Sequence, residues 1–180
     1  MSQTFTDPSD PARLAKYVDE VSPPAHTPAE PPQARLTLVS FAVATELFAL
    51  PVERVREVVR AHGISRVPGS PDHVRGVQSL RGRMIAVLDA RTRLGLPPAD
   101  ITPASRVLIV EGRGRLLGLL VDEVRQVGAV LQKDFAPPPA EIRSQLTEHV
   151  RGMVPLDGRL ALVLDLERLL LLPQASQETP

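Results

Sequence analysis

Short runs of apolar residues, each ended by glycine, proline or charged residues, form the pattern of this chain from Arg35 onward. The runs are rich in Val, Ile and Leu, and residues 36–43 alternate roughly between apolar and polar positions. Both features are typical of β-strands. We therefore predict strands at residues 36–43, 47–50, 84–88, 107–111, 116–121 and 160–164.

Turn-forming residues separate these runs. Pro51 ends the second strand, because proline cannot donate a hydrogen bond to a neighbouring strand. The Gly-Arg-Gly sequence at residues 112–114 and the Asp-Gly pair at residues 157–158 predict hairpin turns. Residues 52–60 fit either a short helix or a turn that leads into a strand, and the pattern leaves both readings open.

Two short helices are predicted, one after each Val-Leu-Asp sequence. They cover residues 90–96 and 166–172. Asp89 and Asp165 precede them and are suited to cap their first turns, because an aspartate side chain accepts a hydrogen bond from an otherwise unpaired amide. Pro173 stops the second helix.

Part of the chain occurs twice. Residues 73–96 align with residues 149–172 without a gap, and half of the aligned positions are identical. Residues 52–58 also match residues 121–127, at a slightly different offset. A duplicated supersecondary unit predicts two similar lobes, with a seam between them where a partner can bind.

The resulting fold prediction is a mainly β, barrel-like protein of two intertwined lobes with short helices. We place the lobes at about residues 36–100 and 101–172. A leader, residues 1–34, is rich in proline and is predicted to be mostly disordered. Within it, Asp10 could cap a short amphipathic helix that acts as a tethered docking peptide. Residues 173–180 form a tail.

Composition excludes several classes of function. The chain has 21 basic and 21 acidic residues and only 3% aromatic residues, which argues against a nucleic-acid-binding surface. It has no cysteine, so thiol catalysis, disulfides and cysteine zinc sites are excluded. The N-terminus lacks the apolar stretch of a secretory signal, and no apolar run is long enough to cross a bilayer. We expect a cytoplasmic location.

The sequence carries no catalytic motif. Nucleophile-elbow, phosphate-loop and dinucleotide-binding patterns are missing. His73 and His149 occupy equivalent repeat positions, which the duplication explains better than a shared metal does. Asp89 and Asp165 are helix caps rather than paired catalytic carboxylates. We expect no enzyme activity, no cofactor and no metal.

Two charged residues stand out at places where a partner can reach them. Arg81 lies on a turn between Leu80 and Gly82, where the second copy has Asp157. Its guanidinium can bind a carboxylate through two hydrogen bonds. Glu57 interrupts an apolar run. The alternative is that both are ordinary solvated charges or form a weak surface ion pair.

The order of the apolar and turn segments resembles the CheW family, the coupling proteins of bacterial chemosensory arrays. The resemblance covers about residues 36–172. The matching strings are Phe-Ala-Leu-Pro-Val at 48–52, Val-Arg-Glu-Val at 55–58, Ile-Ser-Arg-Val-Pro at 64–68, Gly-Val-Gln-Ser-Leu-Arg-Gly at 76–82, Val-Leu-Asp at 87–89, Gly-Leu-Leu-Val-Asp-Glu-Val at 118–124 and the segment 152–166.

This resemblance implies a fold of two five-stranded SH3-like β-barrels and a non-enzymatic adaptor. Such an adaptor couples the cytoplasmic tips of methyl-accepting chemoreceptors to the regulatory domain of a CheA-type histidine kinase, within receptor arrays. The resemblance also implies that Val55, Glu57, Arg81 and Val124 line a groove between the lobes that receives the receptor tip.

Two alternatives remain open. One keeps the fold but assigns the chain to a non-flagellar motility or developmental pathway, as a CheW-like scaffold without direct receptor contact. The other is a small β-barrel module that binds nucleic acid or a small ligand, which the neutral charge and scarce aromatic residues disfavour.

Overall fold

The computed structural model describes residues 34–112, 114–138, 146 and 148–171, in which strands dominate. The leader, apart from Ala34, and the tail lie outside the described residues, as does the helix predicted after Asp10. The strands are β1 Arg35–Val43, β2 Glu46–Pro51, β3 Val55–Arg60, β4 Val74–Leu80, β5 Arg83–Asp89, β6 Arg106–Gly112, β7 Arg115–Val121, β8 Glu123–Leu131, β9 Val150–Leu156 and β10 Arg159–Leu164. The helices are α1 Ala90–Arg93 and α2 Leu166–Leu169.

Every predicted strand is present, and each extends its predicted segment by one residue at one or both ends. Residues 52–60 form a single 3₁₀ turn, Val52–Arg54, followed by β3, so the second of the two open readings is confirmed. Strands β4, β8 and β9 were not predicted. Their residues include glycine, arginine and glutamine or proline, which weaken the local signal for a strand.

Both helices are shorter than predicted. The first ends at Arg93, because Gly95 follows with a φ of 69° that a helix does not allow. The caps are confirmed: Asp89 Oδ1 accepts hydrogen bonds from the amides of Arg91 (2.9 Å) and Thr92 (3.4 Å). Asp165 Oδ1 accepts one from the Arg168 amide at 3.1 Å.

The strands form two five-stranded sheets, which confirms the predicted fold class. One sheet has the order β3-β6-β7-β5-β4 and uses a continuous stretch of chain, so we call it the continuous lobe. The other has the order β8-β1-β2-β10-β9 and joins the first two strands to the last three, so we call it the split lobe. The two sheets have the same strand order when each strand is matched with its repeat equivalent.

The predicted division of the lobes near residue 100 is wrong. Each repeat copy supplies one strand, a hairpin and a helix, and needs a second hairpin to complete its sheet. Hairpin β6–β7 completes the first copy, through parallel pairing of β5 with β7. Hairpin β1–β2 completes the second copy, through parallel pairing of β10 with β2. The chain therefore crosses between the lobes twice, and the lobes are intertwined.

Three apolar clusters hold this arrangement together. The largest, the interlobe cluster, contains fully buried side chains from both sheets, including Phe41, Phe48, Leu88, Leu108, Leu119, Leu164 and Leu169. Each lobe also has its own smaller cluster on the opposite face of its sheet. Strands such as β6 and β10 are thus buried on both faces, which explains why their sequences are continuous apolar runs rather than alternating patterns.

One glycine in each copy permits a close crossing of the chain. Gly76 has a φ of 150°, and a Cβ there would lie 2.2 Å from the carbonyl oxygen of Ser65. Ser65 forms an isolated antiparallel bridge with Val77, next to that glycine. The equivalent Gly152 admits the bridge between Ala136 and Met153. Any side chain at these two positions would push the crossing segment away.

Among the described residues, no helix combines the length and apolar character needed to span a bilayer.

Candidate functional site

The turn between β4 and β5 presents Arg81 to solvent in an unfavourable backbone conformation. Arg81 and Gly82 have φ values of 50° and 79°, so both central residues of this two-residue turn are left-handed. Asn, Asp and Gly tolerate that conformation, whereas other residues do so at a cost of roughly 1–2 kcal/mol. The equivalent turn in the split lobe has Asp157 at a φ of 54°, a residue suited to it. The arginine therefore adds nothing to the turn itself.

Arg81 reaches across to the edge strand β3 and pairs with Glu57. Its Nη2 donates a hydrogen bond to Glu57 Oε2 at 2.9 Å. The arginine side chain is 82% exposed and the glutamate 28% exposed, so the guanidinium keeps most of its donors free. A pair this exposed contributes about 0–1 kcal/mol to stability. The two charged residues singled out from the sequence are thus in contact, with room for a further acceptor.

Val55 and Val124 occupy equivalent positions at the starts of β3 and β8, one in each lobe. Both are partly buried and pack against the interlobe cluster. Val55 lies two residues before Glu57, at a β-bulge in the pairing of β3 with β6. The seam thus carries a half-exposed apolar residue from each lobe, and Glu57 of the charged pair lies on the same strand as Val55.

An ion pair between Arg91 and Asp122 connects the lobes at one end of this seam. Arg91 Nη2 donates to Asp122 Oδ2 at 2.7 Å, and its Nε donates to Oδ1 at 2.9 Å. The amide of Ala44, on the β1–β2 turn of the split lobe, also donates to Oδ2 at 2.6 Å. Burial alone would raise the pKa of Asp122, but these hydrogen bonds outweigh it and hold the pKa below its ordinary value.

At the other end of the seam, Arg54 pairs with Glu167. Glu167 is the repeat equivalent of Arg91, so the charges are reversed between the two ends. This second pair is more exposed, at 37% and 50%, and is therefore weaker. Sequence reasoning missed both pairs, because a charge on a short helix looks the same whether it is solvated or paired. The repeat offered one signal, because it aligns position 91 with position 167 and charges of opposite sign occupy these two equivalent positions.

Within the described ranges, no three His, Asp or Glu residues are grouped to hold a metal ion. A cavity of about 670 Å³ lies at the start of β4, at the opposite end of that strand from Arg81. It is lined by charges of both signs, Arg66 and Arg75 beside Asp72 and Asp89. This mixed lining gives the cavity no preference for a ligand of one charge.

Comparison with known proteins bears on this arrangement. A family model described as CheW-like domain matches residues 37–173. The chain is 32% identical to a probable chemotaxis protein CheW of Rhizobium etli, over 73% of this chain and 85% of that protein. It is 30% identical to protein FrzA of Myxococcus xanthus, over 66% of this chain and 73% of that protein. The crystal structure of a scaffolding protein, TtCheW from Thermoanaerobacter tengcongensis, superposes with a TM-score of 0.69 at 32% identity, covering 76% of this chain and 92% of that one.

Proposed function

The chain belongs to the CheW-like domain family, and on that premise we propose that it couples methyl-accepting chemoreceptors to a CheA-type histidine kinase. The family and the scaffolding protein that the chain resembles support a scaffold rather than an enzyme. The proposed partners are the cytoplasmic receptor tips and the regulatory domain of the kinase. The proposed location is the receptor array, on the cytoplasmic side of the membrane.

The observation that carries this proposal is the backbone conformation of Arg81. An arginine at a φ of 50° is less favourable for the fold than an asparagine or aspartate would be. The equivalent turn of the second copy has such a residue, Asp157. Backbone strain retained at an exposed position is a reason to look for a function. A guanidinium held by Glu57 and otherwise free is suited to a carboxylate or carbonyl group on a partner.

The proposed receptor site combines this charged pair with the apolar seam. A receptor tip is an antiparallel helical hairpin, and an amphipathic helix binds by laying its apolar face in a groove. Val55 and Val124 would receive that face, since each is partly exposed and backed by the interlobe cluster. Arg81 and Glu57 would fix the register of the helix, as a charged pair at the margin of an apolar contact does.

Coupling would act by position rather than by chemistry. A scaffold bound to both receptor and kinase can transmit a signal only if the receptor's signalling states differ in their contacts with it. In this chain the lobes are joined by two crossings and by the Arg91–Asp122 pair, so a contact on one lobe is mechanically linked to the other. The joined lobes are therefore suited to hold the kinase in a defined relation to the receptor.

A second candidate keeps the scaffold and changes the pathway. The similarity to protein FrzA shows that relatives of this chain are not all named for chemotaxis, so family membership leaves the pathway open. In that alternative the chain serves a non-flagellar motility or developmental system and contacts no receptor directly.

A binding experiment separates the two candidates. The purified full chain would be mixed with a receptor-tip hairpin and, separately, with the kinase regulatory domain, and complexes measured by co-sedimentation or calorimetry. Coupling requires that both bind. Binding of the kinase domain alone favours the scaffold without receptor contact. Binding of neither would refute both proposals.

A further inference from the structure

Two histidines lie at equivalent places in the repeat, and His73 is buried while His149 is partly buried. The carbonyl oxygen of His73 accepts a hydrogen bond from the Asp89 amide at 2.8 Å, and that of His149 accepts one from the Asp165 amide at 2.7 Å. Asp89 and Asp165 cap α1 and α2. Each histidine is therefore held against the first turn of its own lobe's helix, and neither belongs to the receptor site proposed above.

Both imidazoles leave a ring nitrogen without a hydrogen bond. His73 is only 9% exposed, and its Nε2 is buried. Nδ1 of His149 is also buried. Among the residues that the structure describes, no group lies within hydrogen-bonding distance of either atom. Buried polar atoms of this kind are uncommon in folded proteins and call for a physical explanation.

Arg93 connects this region across the seam. It lies on α1 of the continuous lobe, and its Nε donates to the carbonyl oxygen of Leu169 at 2.8 Å. Its Nη2 donates to the carbonyl oxygen of Arg168 at 3.2 Å. Both acceptors are at the C-terminal end of α2 in the split lobe. Within the described part of the chain, Arg93 forms no ion pair with a carboxylate, so its charge is balanced mainly by carbonyl dipoles.

The electrostatic surroundings keep both histidines neutral near pH 7. Burial lowers the pKa of His73, Arg93 lowers it further, and Asp72 opposes the shift. Burial also lowers the pKa of His149, again with Arg93, while Glu148 and Asp165 oppose the shift and Arg168 adds to it. The hydrogen bonds bring the three groups to one region of the interface: Arg93 follows Asp89, which is bound to His73, by one helical turn, and it binds the end of the helix that Asp165, bound to His149, caps.

We propose that His73, His149 and Arg93 form a proton-sensitive joint between the two lobes. When an imidazole takes up a proton, a second positive charge is buried beside Arg93. The repulsion weakens the hydrogen bonds from Arg93 to the end of α2. Because Leu166, Leu169 and Leu170 of that segment belong to the interlobe cluster, loosening α2 loosens the seam against which Val55 and Val124 pack.

The direction of the effect follows from the lowered pKa values. Above the ordinary histidine pKa of 6.5 both imidazoles are neutral in the folded and unfolded chain, and the joint is intact. As the pH falls below 6.5, the unfolded or opened state takes up protons more readily than the closed state. The closed joint therefore loses stability through that window.

Hydrogen exchange of the full chain tests this joint. Protection factors of the Asp89, Asp165, Leu169 and Leu170 amides would be measured at about pH 7.5 and about pH 5, corrected for the intrinsic exchange rates. We expect protection to fall on the order of tenfold at the lower pH. The double variant His73→Gln/His149→Gln should remove most of that pH dependence. His62→Gln is the matched control, since His62 is exposed, and it should leave the wild-type response unchanged.

A second variant keeps the test informative if the double variant does not fold. Arg93→Gln removes the shared positive charge, so an NMR titration should show the pKa values of His73 and His149 rising together. The proposal is overturned if wild-type protection at these amides is the same at both pH values. It is equally overturned if Arg93→Gln leaves His73 and His149 titrating as before.

Discussion

Replacing Arg81 by asparagine should separate binding from folding. The arginine sits at a φ of 50°, which costs roughly 1–2 kcal/mol for a residue of this kind, and asparagine relieves part of that cost. The substitution also removes the 2.9 Å ion pair with Glu57, which is worth about 0–1 kcal/mol at this exposure. The two effects oppose each other. We expect the free energy of unfolding to change by less than about 1 kcal/mol, and the larger strain contribution favours a gain in stability.

The same substitution should weaken receptor binding strongly. A central arginine in an interface typically contributes about 2 kcal/mol or more, so affinity for a receptor-tip hairpin should fall roughly 30-fold. Urea unfolding measures the first effect and calorimetric titration with the hairpin measures the second. Asp157→Asn, at the equivalent turn of the other lobe, is the matched control and should change neither quantity appreciably.

Two results would refute this reasoning. If Arg81→Asn lowers the free energy of unfolding by more than about 2 kcal/mol, the arginine has a structural role that the exposed ion pair does not account for. If it leaves receptor affinity unchanged, the strained turn is not retained for this contact. Arg81→Asp should behave like the asparagine variant in binding, but the new carboxylate would face Glu57, which reduces its stability gain.

Three further predictions concern the seam and the repeat. Asp122→Asn should lower the free energy of unfolding by about 2 kcal/mol, because it breaks a partly buried pair with Arg91. Urea unfolding at neutral pH measures this loss of stability. Since the pKa of Asp122 is lowered in the folded chain, the difference between wild type and variant should shrink as the pH falls below about 4. Gly76→Ala should cost more than about 3 kcal/mol of stability, since its Cβ would meet a backbone oxygen. Gly69→Ala, with open space around it, should cost only about 1 kcal/mol. Thermal unfolding compares the two variants, and equal costs would contradict the close chain crossing at Gly76. Asp89→Ala should remove a helix cap and cost about 1 kcal/mol in the same assay, while an unchanged stability would show that the cap is dispensable.

The sequence predicted β1 from its alternation and the other strands from their apolar runs, most of which are buried on both faces. It did not predict β4, β8 and β9, which combine apolar residues with arginine, glycine and glutamine or proline. The duplication predicted two similar lobes correctly. It could not show which hairpin completes which lobe, because parallel pairing of β10 with β2 joins segments more than a hundred residues apart.

The candidate site was predictable in its parts rather than in its geometry. Arg81 and Glu57 were identified separately, the first as a break in the repeat and the second as a charge within an apolar run. Their contact depends on the sheet bringing its two end strands, β3 and β4, close to each other, which no local pattern encodes. No local sequence pattern predicted the Arg91–Asp122 pair, since its members differ from solvated charges only in the folded chain.

The central claim is that a receptor tip binds at the seam between the lobes, on the side where the continuous lobe presents Arg81. It does not bind at the equivalent turn of the split lobe. The most direct measurement is an NMR titration of the labelled full chain with an unlabelled receptor-tip hairpin. The account predicts that the amide signals of Val55, Glu57, Arg81 and Val124 shift, while those of Asp157 and Gly158 stay in place. Shifts confined to the turn at residues 157–158, or to surfaces away from the seam, would contradict it.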